Sequence, residues 1–210
     1  MKVFTILGGV NGVGKTSFLG VLKECCNDLG RMLETDKIVA EPDSEIVDGN
    51  RTVQSIIDSC IDRGLSFTQE TTLSGCRTEA TAKKVKDLGY FVRLFYIGLD
   101  SADESLLRIR NRVKRGGHDI PADDVERRFK GRWEAVAKVL PYCDAAEFYD
   151  NDNGFIKVAD YKNGELRKVG ELSPEWLKEL IAYMDILYGT VKGADFYAGS
   201  DLADDGKLSI

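Results

Sequence analysis

Two hydrophobic patterns alternate along the chain and predict its secondary structure. Short continuous apolar runs are typical of buried strands, and apolar residues at every third or fourth position indicate helices. The predicted strands span residues 2–7, 31–35, 65–69, 90–97 and 145–149. The predicted helices span residues 17–26, 51–63, 75–88, 101–115 and 122–138, and a last helix begins at 173. This alternation predicts an α/β fold of three layers, in which a mostly parallel central sheet lies between helices on both faces.

The C-terminal part of the chain departs from this alternation. Residues 154–169 alternate around an Asn163-Gly164 pair, which predicts a β-hairpin. The last helix has a stripe of apolar residues, namely Leu177, Leu180, Ile181, Met184 and Leu187. Residues 189–210 contain four glycines and four aspartates without periodicity, which predicts a partly disordered tail. We therefore expect one domain over 1–188 and a tail over 189–210.

A glycine-rich segment follows the first predicted strand and precedes the first helix. Residues 9–16 read Gly-Val-Asn-Gly-Val-Gly-Lys-Thr, a complete phosphate-binding loop. In such a loop the backbone N–H groups bind phosphate, Lys15 reaches the β- and γ-phosphates, and the Thr16 hydroxyl binds Mg²⁺. The predicted nucleotide-binding residues are therefore Gly9, Val10, Asn11, Gly12, Val13, Gly14, Lys15, Thr16 and Ser17.

Two acidic residues follow the ends of predicted strands, where ligands of open parallel sheets bind. Asp36 ends the second strand and Glu70 ends the third. A phosphotransferase needs a carboxylate that accepts the proton of the attacking hydroxyl, and both residues have that chemistry. The alternative for each is a solvated loop acid, and the spacing leaves the two interpretations open.

A basic cluster covers residues 108–132, with nine Lys and Arg side chains in 25 residues. Phosphoryl transfer spreads negative charge that arginine stabilises, and Gly116-Gly117 would let two helices close over a nucleotide as a lid. The other interpretation is a pair of charged helices that face solvent. His118 lies beside the glycine pair, and we expect it to have a capping or hydrogen-bonding role and not a catalytic one.

Composition and charge narrow the function classes. A net charge of −6 disfavours general affinity for nucleic acids or anionic membranes, and no apolar run is long enough to span a bilayer. Five cysteines without a Cys-x-x-Cys pair suggest neither a disulfide framework nor a zinc site. We expect a cytoplasmic protein.

Several stretches together resemble the zeta-toxin group of P-loop kinases, which includes UDP-N-acetylglucosamine kinases. They are the glycine loop, Thr-Asp-Lys-Ile-Val-Ala, Phe-Thr-Gln-Glu-Thr-Thr-Leu-Ser-Gly, Arg-Val-Lys-Arg-Gly-Gly-His-Asp-Ile-Pro and Glu-Arg-Arg-Phe. The resemblance covers about residues 1–150. It implies a P-loop kinase fold with a helical lid, the cofactors ATP and Mg²⁺, a small-molecule hydroxyl acceptor and an antitoxin-like protein partner.

The resemblance also implies roles for individual residues. Asp36 would be the catalytic base, and Glu70 and Thr72 would face the substrate. Arg115 and either Arg128 or Arg127 would reach the phosphates, and Asn151 would lie near the nucleotide. Ser74 stands where members that phosphorylate UDP-N-acetylglucosamine carry a basic residue, which puts that particular acceptor in doubt.

Other nucleotide-binding classes fit the sequence less well. A switch GTPase would carry Asn-Lys-x-Asp and Asp-x-x-Gly, and a mechanical ATPase would carry an apolar strand ending in Asp-Glu; the chain has none of these. A kinase of polynucleotide or RNA ends, which would use the basic lid as a strand-binding surface, is disfavoured by the acidic total charge. The sequence also leaves open the interpretation that the protein binds ATP without catalysing a reaction.

Overall fold

The computed structural model describes residues 1–34, 49–152 and 154–188, and at residues 34 and 49–52 it describes the backbone alone. Asp36 and the predicted tail over 189–210 lie outside the described residues. The described residues form a central sheet covered by helices on both faces.

In the described part of the chain, the sheet has seven strands. They are β1 (Val3–Gly8), β2 (Arg31–Glu34), β3 (Phe67–Thr71), β4 (Phe91–Gly98), β5 (Ala145–Asp150), β6 (Ile156–Lys162) and β7 (Glu165–Lys168). Their order across the sheet is β2-β3-β1-β4-β5-β6-β7. The first five pair in parallel, and β6 and β7 add an antiparallel hairpin at one edge. The predicted α/β fold with a mostly parallel sheet is confirmed, as is the predicted hairpin, whose turn holds Asn163 at φ 55°.

Seven helices are described, together with a 3₁₀ turn at Leu140–Tyr142. They are α1 (Lys15–Cys25), α2 (Gly49–Asp62), α3 (Arg77–Asp87), α4 (Ala102–Val113), α5 (Ala122–Lys130), α6 (Arg132–Val139) and α7 (Glu175–Tyr188). The single helix predicted over 122–138 is wrong, because the chain divides at Gly131, which leaves helical geometry at φ −86°, ψ 6°. Glycine is a poor helix former, so this residue is a natural place for the break.

The two faces of the sheet carry separate apolar clusters. On one face, the side chains of α2, α3, α6 and α7 pack against alternate residues of the central strands, such as Phe4 and Leu94. On the other face, α1 packs through Phe18, Leu19 and Leu22 against the opposite set of strand residues. The three predicted layers follow from this alternation, because successive strand residues point to opposite faces.

The last helix matches its predicted apolar stripe only in part. Leu177, Leu180, Ile181 and Met184 are buried. Leu187, which completed the predicted stripe, is 51% exposed because it lies in the last turn of α7, beyond the described core. None of the described helices is long and apolar enough to cross a membrane.

Candidate active site

The glycine loop connects β1 to α1 and has a backbone that requires glycine. Gly12 and Gly14 have φ angles of 74° and 97°, in the left-handed region. A Cβ atom on Gly14 would lie 2.6 Å from Asn151 Nδ2, and one on Gly12 would lie 2.8 Å from the carbonyl oxygen of Ser105. The loop is therefore closely surrounded by the segments that follow β4 and β5.

The loop presents the features of an anion site. Gly14 precedes α1 and supplies no side-chain cap, so the N–H groups of the first helical turn are available to an anion. The Lys15 side chain is 8% exposed and bends back over the loop, where Nζ donates to the carbonyl oxygens of Gly9 and Val10 at 3.0 and 3.1 Å. This donor set fits the phosphates of a nucleotide.

Thr16 and Glu70 meet at the end of the sheet. The Thr16 hydroxyl lies 3.3 Å from both carboxylate oxygens of Glu70, which stands near the end of β3. Hydroxyl and carboxylate oxygens are ligands that suit Mg²⁺, and this ion usually combines one or two carboxylates with substrate phosphates. Residues 1–34, 49–152 and 154–188 contain no group of three or more His, Cys, Asp or Glu that could hold a metal by themselves. The residues present thus fit a cation that arrives with a nucleotide.

The turn after β3 presents two predicted substrate residues. The hydroxyl groups of Thr72 and Ser74 lie 2.8 Å apart, on either side of Leu73, which is buried and has a φ of 62°. Positive φ is uncommon for a residue with a bulky side chain, so this backbone is held by its surroundings. The turn borders a cleft of about 180 Å³. Its lining residues are Thr72, Ser74, Gly75, Arg127, Arg128, Gly131, Glu134, Ala135 and Lys138.

The two adjacent arginines of α5 point in different directions. Arg128 is 26% exposed, and its Nη1 donates to Asn11 Oδ1 of the glycine loop at 2.9 Å. Arg127 is 65% exposed and donates to Asp124 at 2.5 Å. The hydrogen bond and charge of Arg127, with the charge of Arg128, hold the pKa of the Asp124 carboxyl below its usual range. Arg128 therefore joins the loop to the Thr72 cleft, whereas Arg127 lies at the outer side of the cleft.

Asn151 and Arg108 support the opposite side of the loop. Asn151 Nδ2 donates to the carbonyl oxygen of Val13 at 2.7 Å, and the Asn151 carbonyl oxygen accepts from Arg108 Nη2 at 2.8 Å. Arg108 also pairs with Glu104, one helical turn earlier in α4. Sequence reasoning placed Arg108 in the basic cluster without a role. Its spacing to Glu104 was a visible signal of a fixed side chain.

Arg115 is exposed just after α4 and lines a second cavity, of about 540 Å³. Its other lining residues are Arg108, Asn111, Arg112, Gly116 and Gly117. His118, beside this cavity, accepts a hydrogen bond from Arg112 Nη2 through its backbone oxygen. Ser17 is exposed in the first turn of α1. The structure thus brings together the loop, Glu70, Arg128 and Asn151, and Arg108 connects this group to the cavity that Arg115 lines. The predicted contact of Arg115 with the phosphates stays a prediction.

The fold and the loop define a P-loop protein of the kinase type. The sequence model of the zeta-toxin family matches residues 44–161, more than half of the 210 residues. The chain belongs to the zeta-toxin family, which confirms the predicted resemblance. Family and fold together support a phosphotransferase of the P-loop kinase type.

Individual proteins are similar to this chain in sequence or in fold. The chain is 30% identical to an uncharacterized protein of Haemophilus influenzae over 126 residues, which are 58% of this chain and 88% of that protein. A chain from the PezAT chromosomal toxin–antitoxin system of Streptococcus pneumoniae is 19% identical, with a TM-score of 0.56, over 90% of this chain and 87% of its own. A chain from the structure of AvrRxo1-ORF1:-ORF2 with ATP is 17% identical, with a TM-score of 0.53, over 87% of this chain and 63% of its own. The two structural likenesses are likenesses of fold.

Proposed function

We propose that the protein transfers the γ-phosphate of ATP to a hydroxyl group of a small molecule. The observation that carries this proposal is the position of Arg128, which touches the glycine loop through Asn11 and lines the cleft beside Thr72 and Ser74. A guanidinium between a phosphate site and a second cleft is where charge develops during transfer between two bound molecules. A site that only bound ATP would not need a cleft on the far side of this arginine.

Each group of residues has a separate role in this proposed reaction. The loop N–H groups and Lys15 hold the phosphates, and Thr16 with Glu70 would hold Mg²⁺, which supplies charge neutralisation on the phosphates. Glu70 would also face the substrate, as the family resemblance implies. Thr72 and Ser74 would orient the acceptor in the cleft by hydrogen bonds from their hydroxyl groups. Asp36 would accept the acceptor's proton, as the family resemblance implies.

Membership of the zeta-toxin family supports proposals for the acceptor and for a protein partner. We propose a nucleotide sugar such as UDP-N-acetylglucosamine as the first acceptor to test, with Ser74 as the departure that argues for testing other sugars and nucleotides as well. The PezAT structure comes from a toxin–antitoxin system, and we propose an antitoxin partner here too. We further propose that residues 1–188 form the kinase domain, with the lid over 108–132.

The test is a transfer assay with a mixed acceptor panel. The purified chain is incubated with ATP and Mg²⁺ together with nucleotide sugars, free sugars, nucleosides and an RNA with a 5′-hydroxyl end. Mass spectrometry then finds which compound gains one phosphoryl group. Phosphorylation of the RNA alone would replace the proposal with an end kinase. Tight ATP binding with no transfer to any compound would replace it with a binding module.

Two variants and a control connect the activity to the site. Lys15→Met removes the charge and keeps the aliphatic stem, so transfer should be abolished. Lys23→Ala removes an exposed lysine from the same helix and should leave transfer unchanged. Asp36→Asn should lower kcat by about 10²–10⁴-fold with little change in ATP affinity, because general base catalysis contributes about that much. A folded Lys15→Met variant with normal turnover would refute the kinase proposal.

A further inference from the structure

Asn11 is the point on the glycine loop where both lid helices attach. Its side chain accepts a hydrogen bond from Arg128 of α5, with Nη1 and Oδ1 2.9 Å apart. Its backbone carbonyl oxygen accepts a hydrogen bond from the Ser105 hydroxyl of α4. Asn11 is 5% exposed and Ser105 is fully buried. The loop and the two helices are therefore connected through one residue.

Phosphate binding does not itself require asparagine at this position. The second and third residues of the loop motif are free in type, since phosphate is bound by backbone N–H groups and by Lys15. The Asn11 side chain points to Arg128 instead. It can therefore be assigned a role that does not depend on direct contact with the nucleotide.

Arg128 depends on Asn11 for its orientation. Its Nη2 forms an ion pair with Asp124 Oδ2 at 4.0 Å, a distance too long for a hydrogen bond that would fix the direction of the guanidinium. Its Nε is buried and has no hydrogen-bond acceptor within the described part of the chain. Without Asn11, the long side chain would regain several rotamers, and its guanidinium would face the loop for a smaller fraction of the time.

The chemistry of the amide suits this task. A carboxylate in the same place would neutralise Arg128 and would add negative charge where phosphates bind. An amide oxygen orients the guanidinium and leaves its charge available. The asparagine thus fixes a cation at the border of loop and cleft without weakening it.

We propose that Asn11 is a positioning residue that holds Arg128 in the orientation needed for phosphoryl transfer. This inference rests on the proposed kinase function. Asn11 acts through Arg128, so removing Asn11 removes part of the contribution that Arg128 makes to the transfer step, and it removes nothing once Arg128 is gone.

The first test uses the nucleotide-free protein and does not depend on activity. Urea unfolding is measured for the wild type, Asn11→Ala, Arg128→Ala and the double variant. A hydrogen bond to a charged group predicts that the changes in the unfolding equilibrium constant are non-additive by about tenfold. In a control cycle, Lys130→Ala takes the place of Arg128→Ala. Lys130 is an exposed cation of the same helix, so its effect should add to that of Asn11→Ala. Additive effects of Asn11→Ala and Arg128→Ala would overturn the inference.

The second test measures transfer with the acceptor found by the panel. Asn11→Ala should lower kcat at least tenfold and leave the KM for ATP within about threefold, because the nucleotide is held by the backbone and Lys15. In the Arg128→Ala background, Asn11→Ala should have no further effect on kcat. A raised KM for ATP with unchanged kcat would mean that Asn11 binds the nucleotide directly, and a raised kcat would mean that it restrains Arg128; either result overturns the inference. If no acceptor is found, the proposed function fails, and the unfolding cycle still decides whether the two residues are coupled.

Discussion

The carboxylate of Asp150 connects the last helix to the nucleotide loop, and its removal tests that connection. Asp150 is 5% exposed at the end of β5. Its Oδ1 accepts from Trp176 Nε1 of α7 at 2.8 Å, and its Oδ2 accepts from the backbone N–H of Asp152 at 3.1 Å. The next residue, Asn151, holds the Val13 carbonyl oxygen of the loop. A change at Asp150 should therefore affect both stability and nucleotide binding.

The expected loss in the free energy of unfolding depends on whether each hydrogen-bond donor finds another acceptor. In Asp150→Ala the indole N–H of Trp176, which is fully buried, loses its acceptor, at a cost of about 2 kcal/mol. The N–H of Asp152 is at an exposed residue, so water can replace the lost acceptor at little cost. Asp150→Asn keeps an oxygen for the indole and loses only the second bond, so it should cost about 1 kcal/mol or less.

Urea unfolding followed by tryptophan fluorescence measures both variants. Trp133 and Trp176 are the two tryptophans of the chain and stack with ring centroids 6.2 Å apart, so the signal reports on this region. For an unfolding slope of about 2 kcal/mol/M, the Ala variant should lower the urea midpoint by about 1 M. The same variant should weaken ATP binding, measured by titration calorimetry, because Asn151 is displaced. Equal losses for Asn and Ala would refute the hydrogen-bond argument and assign the effect to charge.

The remaining predictions concern the lid, the core and the loop. Arg128→Ala should lower kcat about 10³-fold, by analogy with transition-state arginines, and Arg127→Ala should cost far less; similar losses in the two assays would contradict the observed orientations. Burial alone would raise the pKa of Asp144, but hydrogen bonds from Lys86 and from a backbone N–H outweigh it and keep the pKa below its ordinary value. A carboxyl whose pKa is lower in the folded state adds stability above its unfolded pKa of about 4, and this stability is lost as the pH falls through the folded pKa. Asp144→Asn should therefore destabilise the protein by about 1 kcal/mol at pH 7, and unfolding measured across pH should show the difference shrinking below pH 4 and vanishing below the folded pKa. Gly14→Ala should abolish ATP binding in a calorimetric titration, since a φ of 97° strains any residue but glycine and the added Cβ would displace the Asn151 amide from the loop.

The sequence predicts those features whose chemistry is local. The glycine loop is eight consecutive residues, and each strand carries its own apolar run, so both are visible without knowledge of the fold. The contacts that complete the site are not local. Thr16 and Glu70 are 54 residues apart, and Asn11 and Arg128 are 117 residues apart. Their pairing depends on the order of strands in the sheet, which the hydrophobic pattern does not determine.

Two predictions were wrong, the single helix over 122–138 and the burial of Leu187, and the sequence contains a warning for the first. Gly131 interrupts the helical spacing of residues 122–138, and a glycine within such a segment lowers confidence in a continuous helix. The apolar residues on both sides continue the spacing closely enough to hide the break. Leu187 fits the stripe of α7 by spacing, yet spacing only says which face a residue is on and not whether the core reaches that far along the helix.

Helix geometry explains why Arg127 and Arg128 point in different directions, but it does not say which of them faces the site. Adjacent helical residues are about 100° apart, so the two side chains were bound to differ, and the sequence alone did not say which one faces the site. Val125 decides it, because it is fully buried and marks the inner face of α5. Arg128 lies three residues later, about 60° from that face, whereas Arg127 lies about 160° from it. The orientation of the pair thus follows from the burial of Val125, which only the structure shows. The identity of the partner, Asn11, depends on the sheet, which brings the two residues to the same place.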